Sequence, residues 1–357
     1  MEPVKPVNEI NYLKELNELR AEIIKVRNEK NKDLQNKLKI QQQEFIPSMP
    51  VTLKGNIDIV KKKTGAIFTI YILQDGRLAA KDSAGSIIIY NKINFEPEIT
   101  ITEKLGDKDY IMYLTQLNNG ALVSLLSNGY IYIYNLSDYK KQQEIKAHNE
   151  RVHKLRVLDN YDGHFLTCSE DSTIKLFSKG NKNIYYEVKD FFKVKDKMSI
   201  FNLLRTREGE IVYLGYDSEN SYINFYDIIL REIIVSLKTK QKLYNGLTDN
   251  LYKLNDTHLL VGANNAILIL DVNQHQQIKE IESRNSSFVT CFLKLDEKSL
   301  LSVDYMGNIK QWRIENDNLI LVKEKKKAHA VQIRMIRKNQ EGLVITCSDD
   351  KSIKIWK

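Results

Sequence analysis

Apolar and polar residues alternate along most of this chain, in short runs that are separated by polar turns. Residues 343–357 (LVITCSDDKSIKIWK) show the pattern well, because Ile353 and Ile355 alternate with lysines after a Ser-Asp-Asp-Lys turn. A period of two is typical of β-strands, in which successive side chains point to opposite faces of the sheet. A lone hairpin is only marginally stable in water. The pattern therefore predicts that further strands elsewhere in the chain complete this sheet.

The strand-like runs recur at a nearly constant spacing. Seven runs close on an aromatic or large apolar residue, and successive closing residues lie 42 to 49 positions apart: Tyr90, Tyr134, Phe177, Tyr226, Leu270, Trp312 and Trp356. Four units also carry a turn glycine 14 positions before the closing residue: Gly76, Gly120, Gly163 and Gly342. Such a period, with several short strands in each unit, indicates a β-propeller. We therefore predict an all-β fold with seven blades over residues 47–357.

The loop and turn residues of two units resemble the WD40-repeat family. In that family, each blade holds a hydrogen-bonded tetrad of a loop histidine, a strand Ser or Thr, a turn aspartate and a strand tryptophan. By this resemblance the last unit has a full tetrad of His329, Thr346, Asp350 and Trp356. The third unit matches with His148, Thr167 and Asp171 but has Phe177, which lacks an indole N–H, at the tryptophan position. These histidines are interpreted as structural residues and not as catalytic or metal-binding ones.

The remaining units depart from the family pattern. The second unit offers Ser124 and Asn128, and the sixth keeps Ser302 and Trp312 but has Met306 where the family has aspartate. Apolar packing of Val, Ile and Tyr between neighbouring sheets can hold such blades together. The departures therefore affect the predicted blade boundaries more than the period.

Residues 1–46 have a different pattern, which predicts a helix before the propeller. Prolines at positions 3, 6, 47 and 50 bracket a segment without proline or glycine, and proline disfavours helix continuation. Within residues 8–44, a narrow apolar stripe at coiled-coil spacing runs along an otherwise charged helix, formed by Leu13, Leu16, Leu19, Ile23 and Val26. The stripe predicts a helical partner, self-association through residues 8–44, or packing on the propeller itself. A strand near residues 51–54 is expected to complete the last blade and close the ring, which would remove an exposed sheet edge.

Lysines are concentrated in the loops that join an outer strand to the next inner strand. In an antiparallel meander these loops share one face with the turns between the last two strands of each unit. The face is a candidate binding surface for acidic or phosphorylated peptides, and its residues are Lys61, Lys62, Lys63, Phe191, Phe192, Lys193, Lys195, Lys197, Lys238, Lys240, Lys242, Lys325, Lys326 and Lys327. The alternative is that these lysines only solvate the loops, because the whole chain is rich in lysine.

Composition narrows the function classes. Three scattered cysteines favour a reduced compartment, the cytosol or the nucleus, and we expect a cytoplasmic protein with no disulfide framework, metal site or cofactor. No apolar run reaches the roughly 18 residues that a membrane span needs. The sequence contains no phosphate loop, HExxH, CxxC or GxSxG pattern, so we expect no catalytic residues. The net charge of +8 suggests an anionic partner such as nucleic acid. The basic loops lack the interleaved aromatics that single-stranded nucleic acids require, so nucleic-acid binding is not favoured.

The sequence thus predicts a non-enzymatic scaffold that binds other proteins through a propeller face and an N-terminal helix. Three alternatives remain open. The layout of helix and seven blades is similar to that of heterotrimeric G-protein β-subunits, and this resemblance implies a small helical partner for the helix. The basic face could instead bind nucleic acid or anionic lipid, and propellers of some families are enzymes.

Overall fold

The alternating runs fold into seven antiparallel sheets of four strands each, the blades of a β-propeller. The computed structural model describes residues 57–58, 66–81, 85–106, 109–158, 164–180, 186–194, 198–244, 246, 248–283 and 287–356 of the 357-residue chain. The predicted helix, its stripe of Leu13, Leu16, Leu19, Ile23 and Val26, and the strand predicted near residues 51–54 lie outside the described residues. Residues Thr52–Lys357 form one compact unit.

Each blade is a simple meander from an innermost strand to an outermost strand. The first strand is β1 (Ile57–Asp58), and blade one follows with β2 (Thr69–Ile72), β3 (Leu78–Lys81), β4 (Ser86–Tyr90) and β5 (Pro97–Thr102). Blade two contains β6 (Ile111–Gln116), β7 (Leu122–Leu126), β8 (Tyr130–Asn135) and β9 (Lys140–Lys146). Blade three contains β10 (Val152–Val157), β11 (Phe165–Ser169), β12 (Thr173–Lys179) and β13 (Tyr186–Lys193).

The same order continues in the second half of the ring. Blade four contains β14 (Ser199–Arg207), β15 (Glu210–Tyr216), β16 (Ser221–Asp227) and β17 (Glu232–Lys238), and blade five contains β18 (Leu251–Lys253), β19 (His258–Ala263), β20 (Ala266–Asp271) and β21 (Gln276–Glu282). Blade six contains β22 (Val289–Asp296), β23 (Ser299–Asp304), β24 (Ile309–Glu315) and β25 (Asn318–Lys325). Blade seven contains β26 (Ile333–Lys338), β27 (Val344–Ser348) and β28 (Ile353–Trp356). Each sequence unit therefore begins with the outermost strand of the preceding blade.

The two ends of the propeller meet in blade seven. Strand β1 is the outermost strand of this sheet and pairs antiparallel with β28, with Ile57 opposite Ile355 and Asp58 opposite Lys354. The pairing strand thus lies a few residues after the segment that the sequence pattern selected. It gives the C-terminal strand a neighbour and closes the ring by backbone hydrogen bonds.

Apolar side chains pack between neighbouring blades and form the core. Trp312, Trp356, Tyr134, Phe165, Phe177 and Phe225 are fully buried. The turn glycines at 76, 120 and 342 all have φ near +85°, a conformation that glycine adopts without steric cost. Within the described residues there is no helix long and apolar enough to cross a membrane.

The meander puts two kinds of connection on each face of the ring. We call one the tetrad face; it carries the loops from one blade to the next and the turns between the second and third strands of each blade. The opposite face, which we call the hairpin face, carries the turns at Gly76, Gly120 and Gly342 and the turns that lead into the outermost strands. The tetrad face is the one on which the sequence placed its basic loops.

Candidate functional site

The four tetrad residues of the last unit lie together in blade seven. The indole Nε1 of Trp356 donates to Oγ1 of Thr346 at 2.9 Å, and Nε2 of His329 lies 2.7 Å from the same oxygen. The ring Nδ1 of His329 lies 2.9 Å from Oδ2 of Asp350. A neutral imidazole that carries its proton on Nδ1 satisfies both contacts, because Nδ1–H donates to the carboxylate and Nε2 accepts from the threonine.

The third unit brings together three of its four predicted residues by hydrogen bonds. In blade three, Nε2 of His148 lies 2.8 Å from Oγ1 of Thr167, and its Nδ1 lies 3.1 Å from Asp171. Phe177 takes the tryptophan position and stacks on Phe165 with centroids 4.9 Å apart and ring planes 6° from parallel. Aromatic packing therefore replaces the missing indole hydrogen bond.

Both tetrads tie the loop between two blades to a turn within the next blade. Asp171 accepts from the backbone N–H of Asn149, and Asp350 accepts from that of Ala330, each at 3.0 Å. Burial opposes ionisation of Asp171, but the hydrogen bonds and charge of His148 outweigh it and lower the pKa of the carboxyl overall. Burial also lowers the pKa of His148. These side chains fix the shape of the tetrad face and have all their reactive atoms engaged in doing so.

Blade two reaches a similar result with different groups. Oγ of Ser124 lies 3.4 Å from the hydroxyl of Tyr134, and Nδ2 of Asn128 donates to Oδ2 of Asp109 at 2.9 Å. The interblade loop here supplies the acid and the turn supplies the amide, the reverse of the arrangement in blades three and seven. The sequence pattern identified Ser124 and Asn128 but not Asp109.

Blade six also differs from the family pattern at its turn. Trp312 donates its indole N–H to Oγ of Ser302 at 2.8 Å, as the retained pair predicted. The buried carboxylate of Asp304, two positions before Met306, holds the turn by accepting from the backbone N–H groups of Met306 and Asn308, each at 2.9 Å. The side chain of Met306 is therefore not needed to hold the turn, and 58% of its surface is exposed on the tetrad face.

The predicted basic surface is only partly described. Residues Lys61, Lys62, Lys63, Lys195 and Lys197 lie outside the described residues, and of Lys193 and Phe191 only the backbone positions in β13 are described. Lys238, Lys240 and Lys242 are exposed at the end of β17 and in the loop that follows it. Lys326 and Lys327 are exposed in the loop before blade seven, whereas Lys325 is half-buried with Nζ 5.2 Å from the Trp356 ring.

Phe192 does not belong to the surface that the sequence assigned to it. It is 4% exposed and makes an edge contact with Tyr226, with centroids 5.5 Å apart. Alternation along β13 directs this ring into the core between blades three and four. Burial there removes its apolar surface from water, which stabilises the fold.

An aromatic cluster on the tetrad face was not identified from the sequence. Tyr244, in the loop after blade four, lies 5.3 Å from Phe288 and 5.7 Å from Tyr305 between ring centroids. Tyr305 is 46% exposed, and Met306 beside it and Val331 in the next loop are also exposed. We call Tyr244, Phe288, Tyr305, Met306 and Val331 the aromatic patch. Loops from three blade junctions and the turn between β23 and β24 form it.

Polar groups connect the aromatic patch to blade seven. The hydroxyl of Tyr244 donates to Oε1 of Gln332 at 3.0 Å, and Arg334 makes a two-pronged ion pair with Asp349 at 2.7 and 2.6 Å. The guanidinium of Arg334 also lies 5.2 Å from the centre of the Phe68 ring. Within the described part of the chain, Nε2 of Gln332 is buried without a hydrogen-bond partner. A buried donor without an acceptor is costly, and a ligand carbonyl could satisfy it.

Two signals in the sequence could have indicated this site. Met306 stands where the family pattern has aspartate, so its departure marks a turn that is free to present an apolar side chain. Tyr244 and Phe288 each lie in a loop between predicted blades, where large aromatics are less common than polar residues. Their convergence depends on the closed ring and has no local sequence pattern.

Comparison with protein families agrees with the geometry of the tetrads. The family described as "WD domain, G-beta repeat" matches residues 139–178 and 324–357. These are the two segments that hold the His148 and His329 networks. The units with altered networks fall outside the matches.

One curated protein and one solved structure give the wider context. Protein SOF1 of Saccharomyces cerevisiae is 24% identical to this chain, and the match covers 71% of the chain and 55% of that protein. The chain thus spans about half the length of the curated relative that it matches. A chain in the crystal structure of a mitotic checkpoint complex superimposes with a TM-score of 0.69 at 14% identity, covering 88% of this chain and 97% of that one. This likeness concerns the fold alone.

Proposed function

Because the chain is a seven-bladed WD40-repeat propeller, we propose that it is a non-enzymatic scaffold whose aromatic patch binds a segment of another protein. The observation that carries the proposal is the set of exposed apolar side chains near a buried amide whose Nε2 has no hydrogen-bond partner within the described residues. Tyr305, Met306 and Val331 are 46%, 58% and 45% exposed, and Gln332, which bears this Nε2, accepts through Oε1 from the hydroxyl of Tyr244.

The chemistry of the aromatic patch is that of a protein interface. Tyrosine, methionine and arginine are enriched at such interfaces, and a few of them carry most of the binding energy. Complete burial of one such apolar side chain contributes about 1.5–3 kcal/mol. Met306 also adapts its shape to a partner, because its side chain is unbranched and polarizable.

The charges near the aromatic patch favour an acidic partner. Lys242 precedes Tyr244 by two residues, and the backbone N–H of Lys327 donates to Asn308 at 3.0 Å, next to the turn that bears Met306. Both lysine side chains are exposed. We infer a partner segment with at least one large apolar side chain and flanking acidic or phosphorylated residues, since complementary charge accelerates association and adds specificity.

A comparison of two double variants tests this function. Tyr305→Ser with Met306→Ser removes the exposed apolar side chains of the patch. Ile93→Ser with Ile229→Ser removes two apolar residues of greater exposure, 76% and 71%, from turns on the hairpin face. Affinity capture with quantitative mass spectrometry should show specific partners that the first variant loses and the second retains.

The partner should then be studied in purified form. Lys326→Glu with Lys327→Glu should weaken its affinity, and the effect should be larger at low salt because screening is weaker there. Equal capture of all partners by the two serine variants would contradict a role for the aromatic patch. Unchanged affinity after the charge reversal would contradict an acidic partner but leave the apolar contact standing.

We further propose that residues 8–44 form the predicted helix and that its apolar stripe pairs with a second copy or with a helical partner in the cytoplasm. The spacing of Leu16, Leu19, Ile23 and Val26 supports this. Light scattering of residues 1–357 and 47–357 distinguishes the cases. A larger mass for the longer chain alone indicates self-association, and equal monomeric masses with a captured partner indicate a heterologous helix.

A further inference from the structure

The seven innermost strands enclose a cavity of about 420 Å³ on the axis of the ring. All seven blades contribute lining residues, among them Arg156 from β10 and Arg337 from β26. Both arginines are the second-to-last residue of their strand, so the cavity extends toward the hairpin face. None of its lining residues belongs to the aromatic patch. Its volume is within the range of small-molecule sites.

Three cationic side chains surround one carboxylate in this cavity. Asp249, in the segment before β18, accepts from Nζ of Lys154 and from Nη2 of Arg337, and Nη2 of Arg156 lies 3.3 Å from its Oδ1. The side chains of Lys154 and Asp249 are 1% and 9% exposed. Within the described residues, Asp249 is the carboxylate that all three cations share. The cluster thus has a formal excess of two positive charges.

Positive charge in excess is costly in a poorly solvated interior. Each cation loses hydration on burial, and one carboxylate compensates only part of that loss. Burial, and next the charges of Arg156 and Arg337, lower the pKa of Lys154 well below its ordinary value. The centroid of the Tyr113 ring lies 3.8 Å from Nζ of Lys154, which adds a cation–π contact.

Beyond its bond to Asp249, Arg337 contacts one carbonyl oxygen and two sulfur atoms. Nη1 donates to the backbone oxygen of Ile336 at 2.9 Å and lies 3.6 Å from Sγ of Cys291, while Nη2 lies 3.5 Å from Sδ of Met335. Sulfur is a weak acceptor, and a guanidinium is better satisfied by oxyanions, which it binds with two parallel hydrogen bonds. The side chains of Arg156 and Arg337 remain 24% and 20% exposed, so an anion in the cavity could reach both.

From the excess charge, the open volume and the partial exposure of both arginines we propose that the cavity binds a small phosphate-class oxyanion. Arg156 and Arg337 bind the oxygens of this anion, and Lys154, behind Asp249, adds positive charge. Asp249 orients the three cations and limits affinity, because its own negative charge repels the ligand. Inorganic phosphate and a small phosphomonoester share this chemistry. The site does not depend on the proposed partner binding.

Calorimetric titration of the full chain tests the proposal. Inorganic phosphate and glycerol 3-phosphate are each titrated at constant ionic strength in chloride buffer. We expect saturable binding in the millimolar range or tighter for at least one of them. Binding of both assigns recognition to the phosphate group, and binding of the inorganic ion alone assigns the site to free phosphate. The absence of saturable binding of either would overturn the proposal.

Variants locate the bound ion. Arg337→Gln should weaken binding about tenfold or more, as expected for the loss of charge-assisted hydrogen bonds. Asp249→Asn should strengthen it, because the competing charge is gone. Arg313→Gln is the matched control, since Arg313 is 53% exposed and pairs with Glu315 on the surface.

The opposite signs at Arg337 and Asp249 separate a site from a folding defect, since a damaged fold weakens binding in both variants. Circular dichroism checks each fold. If Arg337→Gln does not fold, Arg156→Gln replaces it. Equal binding by all folded variants, or weaker binding by a folded Asp249→Asn, would place the ion elsewhere and overturn the assignment.

Discussion

Trp356 and His329 share one hydroxyl. The indole N–H of Trp356 donates to Oγ1 of Thr346 at 2.9 Å, and the imidazole Nε2 of His329 lies 2.7 Å from the same atom. Trp356 lies on β28, which also pairs with β1, and His329 lies in the loop that leads into blade seven. One buried threonine therefore couples the strand at the ring closure to the loops of the tetrad face.

Trp356→Ala should remove both the indole packing and this hydrogen bond. Because Trp356 is fully buried, we expect a loss of about 3–5 kcal/mol in the free energy of unfolding, as for other large-to-small core changes. Urea denaturation measures the loss. Trp356→Phe keeps most of the ring volume and should cost clearly less, as blade three tolerates Phe177 at the equivalent position. A loss below about 1 kcal/mol for the alanine variant would contradict the buried network.

Because the tetrad carboxylates have lowered pKa values in the folded chain, we expect the protein to lose stability in acid. The pKa of Asp350 is lowered overall in the folded chain: burial opposes ionisation, but hydrogen bonds from His329 and Ser352 outweigh it. A lowered folded pKa means that its contribution is complete above the unfolded value, about 3.9, and is lost as pH falls below it. Urea midpoints at pH 5, 4 and 3 should therefore fall less steeply for Asp350→Asn than for the native chain. Asp256→Asn, whose side chain is 93% exposed, should follow the native curve.

Ring closure should depend on the short strand β1. Deletion of residues 1–46 leaves the pairing of Ile57 and Asp58 with β28 intact, so the propeller should keep its melting temperature. Deletion of residues 1–60 exposes the edge of β28 and should lower the melting temperature and promote aggregation. Scanning calorimetry and light scattering measure the two effects. Equal melting temperatures for the two truncations would show that another segment closes the ring.

The repeat made the propeller predictable from the sequence. Each blade is a local meander of consecutive strands. The positions of its strands can therefore be inferred from the spacing of closing residues, such as Tyr134 and Trp356, and from the turn glycines. The tetrad of His329 was predictable for the same reason, because its members lie within one unit. Met306 was interpreted as a lost tetrad residue, and its exposure became evident only once Asp304 was seen to hold the turn.

The charged cluster around Asp249 in the cavity had no comparable signal in the sequence. Asp249 meets Lys154 and Arg337 across 95 and 88 positions of sequence, and only the closed ring brings them together. A register shift between Val152 and Lys154 interrupts the period of two at the start of β10, so alternation alone does not assign its faces. One weaker signal exists: Arg156 and Arg337 each lie eight positions after the tetrad histidine of their unit. Comparison of the two intact repeats would have aligned them.

Gly307 in blade six packs closely against the loop that carries His329. Gly307 has φ of +81° in a turn of blade six, and its carbonyl accepts from the backbone N–H of His329 at 3.0 Å. A Cβ added there would lie 2.3 Å from the backbone oxygen of His329. Gly342 has a similar φ of +83°, but a Cβ there meets nothing within 4 Å.

The two glycines therefore separate backbone strain from steric contact. Gly342→Ala should cost about 1–2 kcal/mol from the left-handed conformation alone. Gly307→Ala should cost more, because the tetrad loop must also move away from the turn. Urea denaturation of both variants measures the difference, and the nitrogen chemical shifts of His329 should change only in Gly307→Ala. Equal losses of stability in the two variants, with unchanged chemical shifts of His329, would contradict this prediction. They would mean that the loop moves without strain and that Gly307 is needed only for the conformation of its turn.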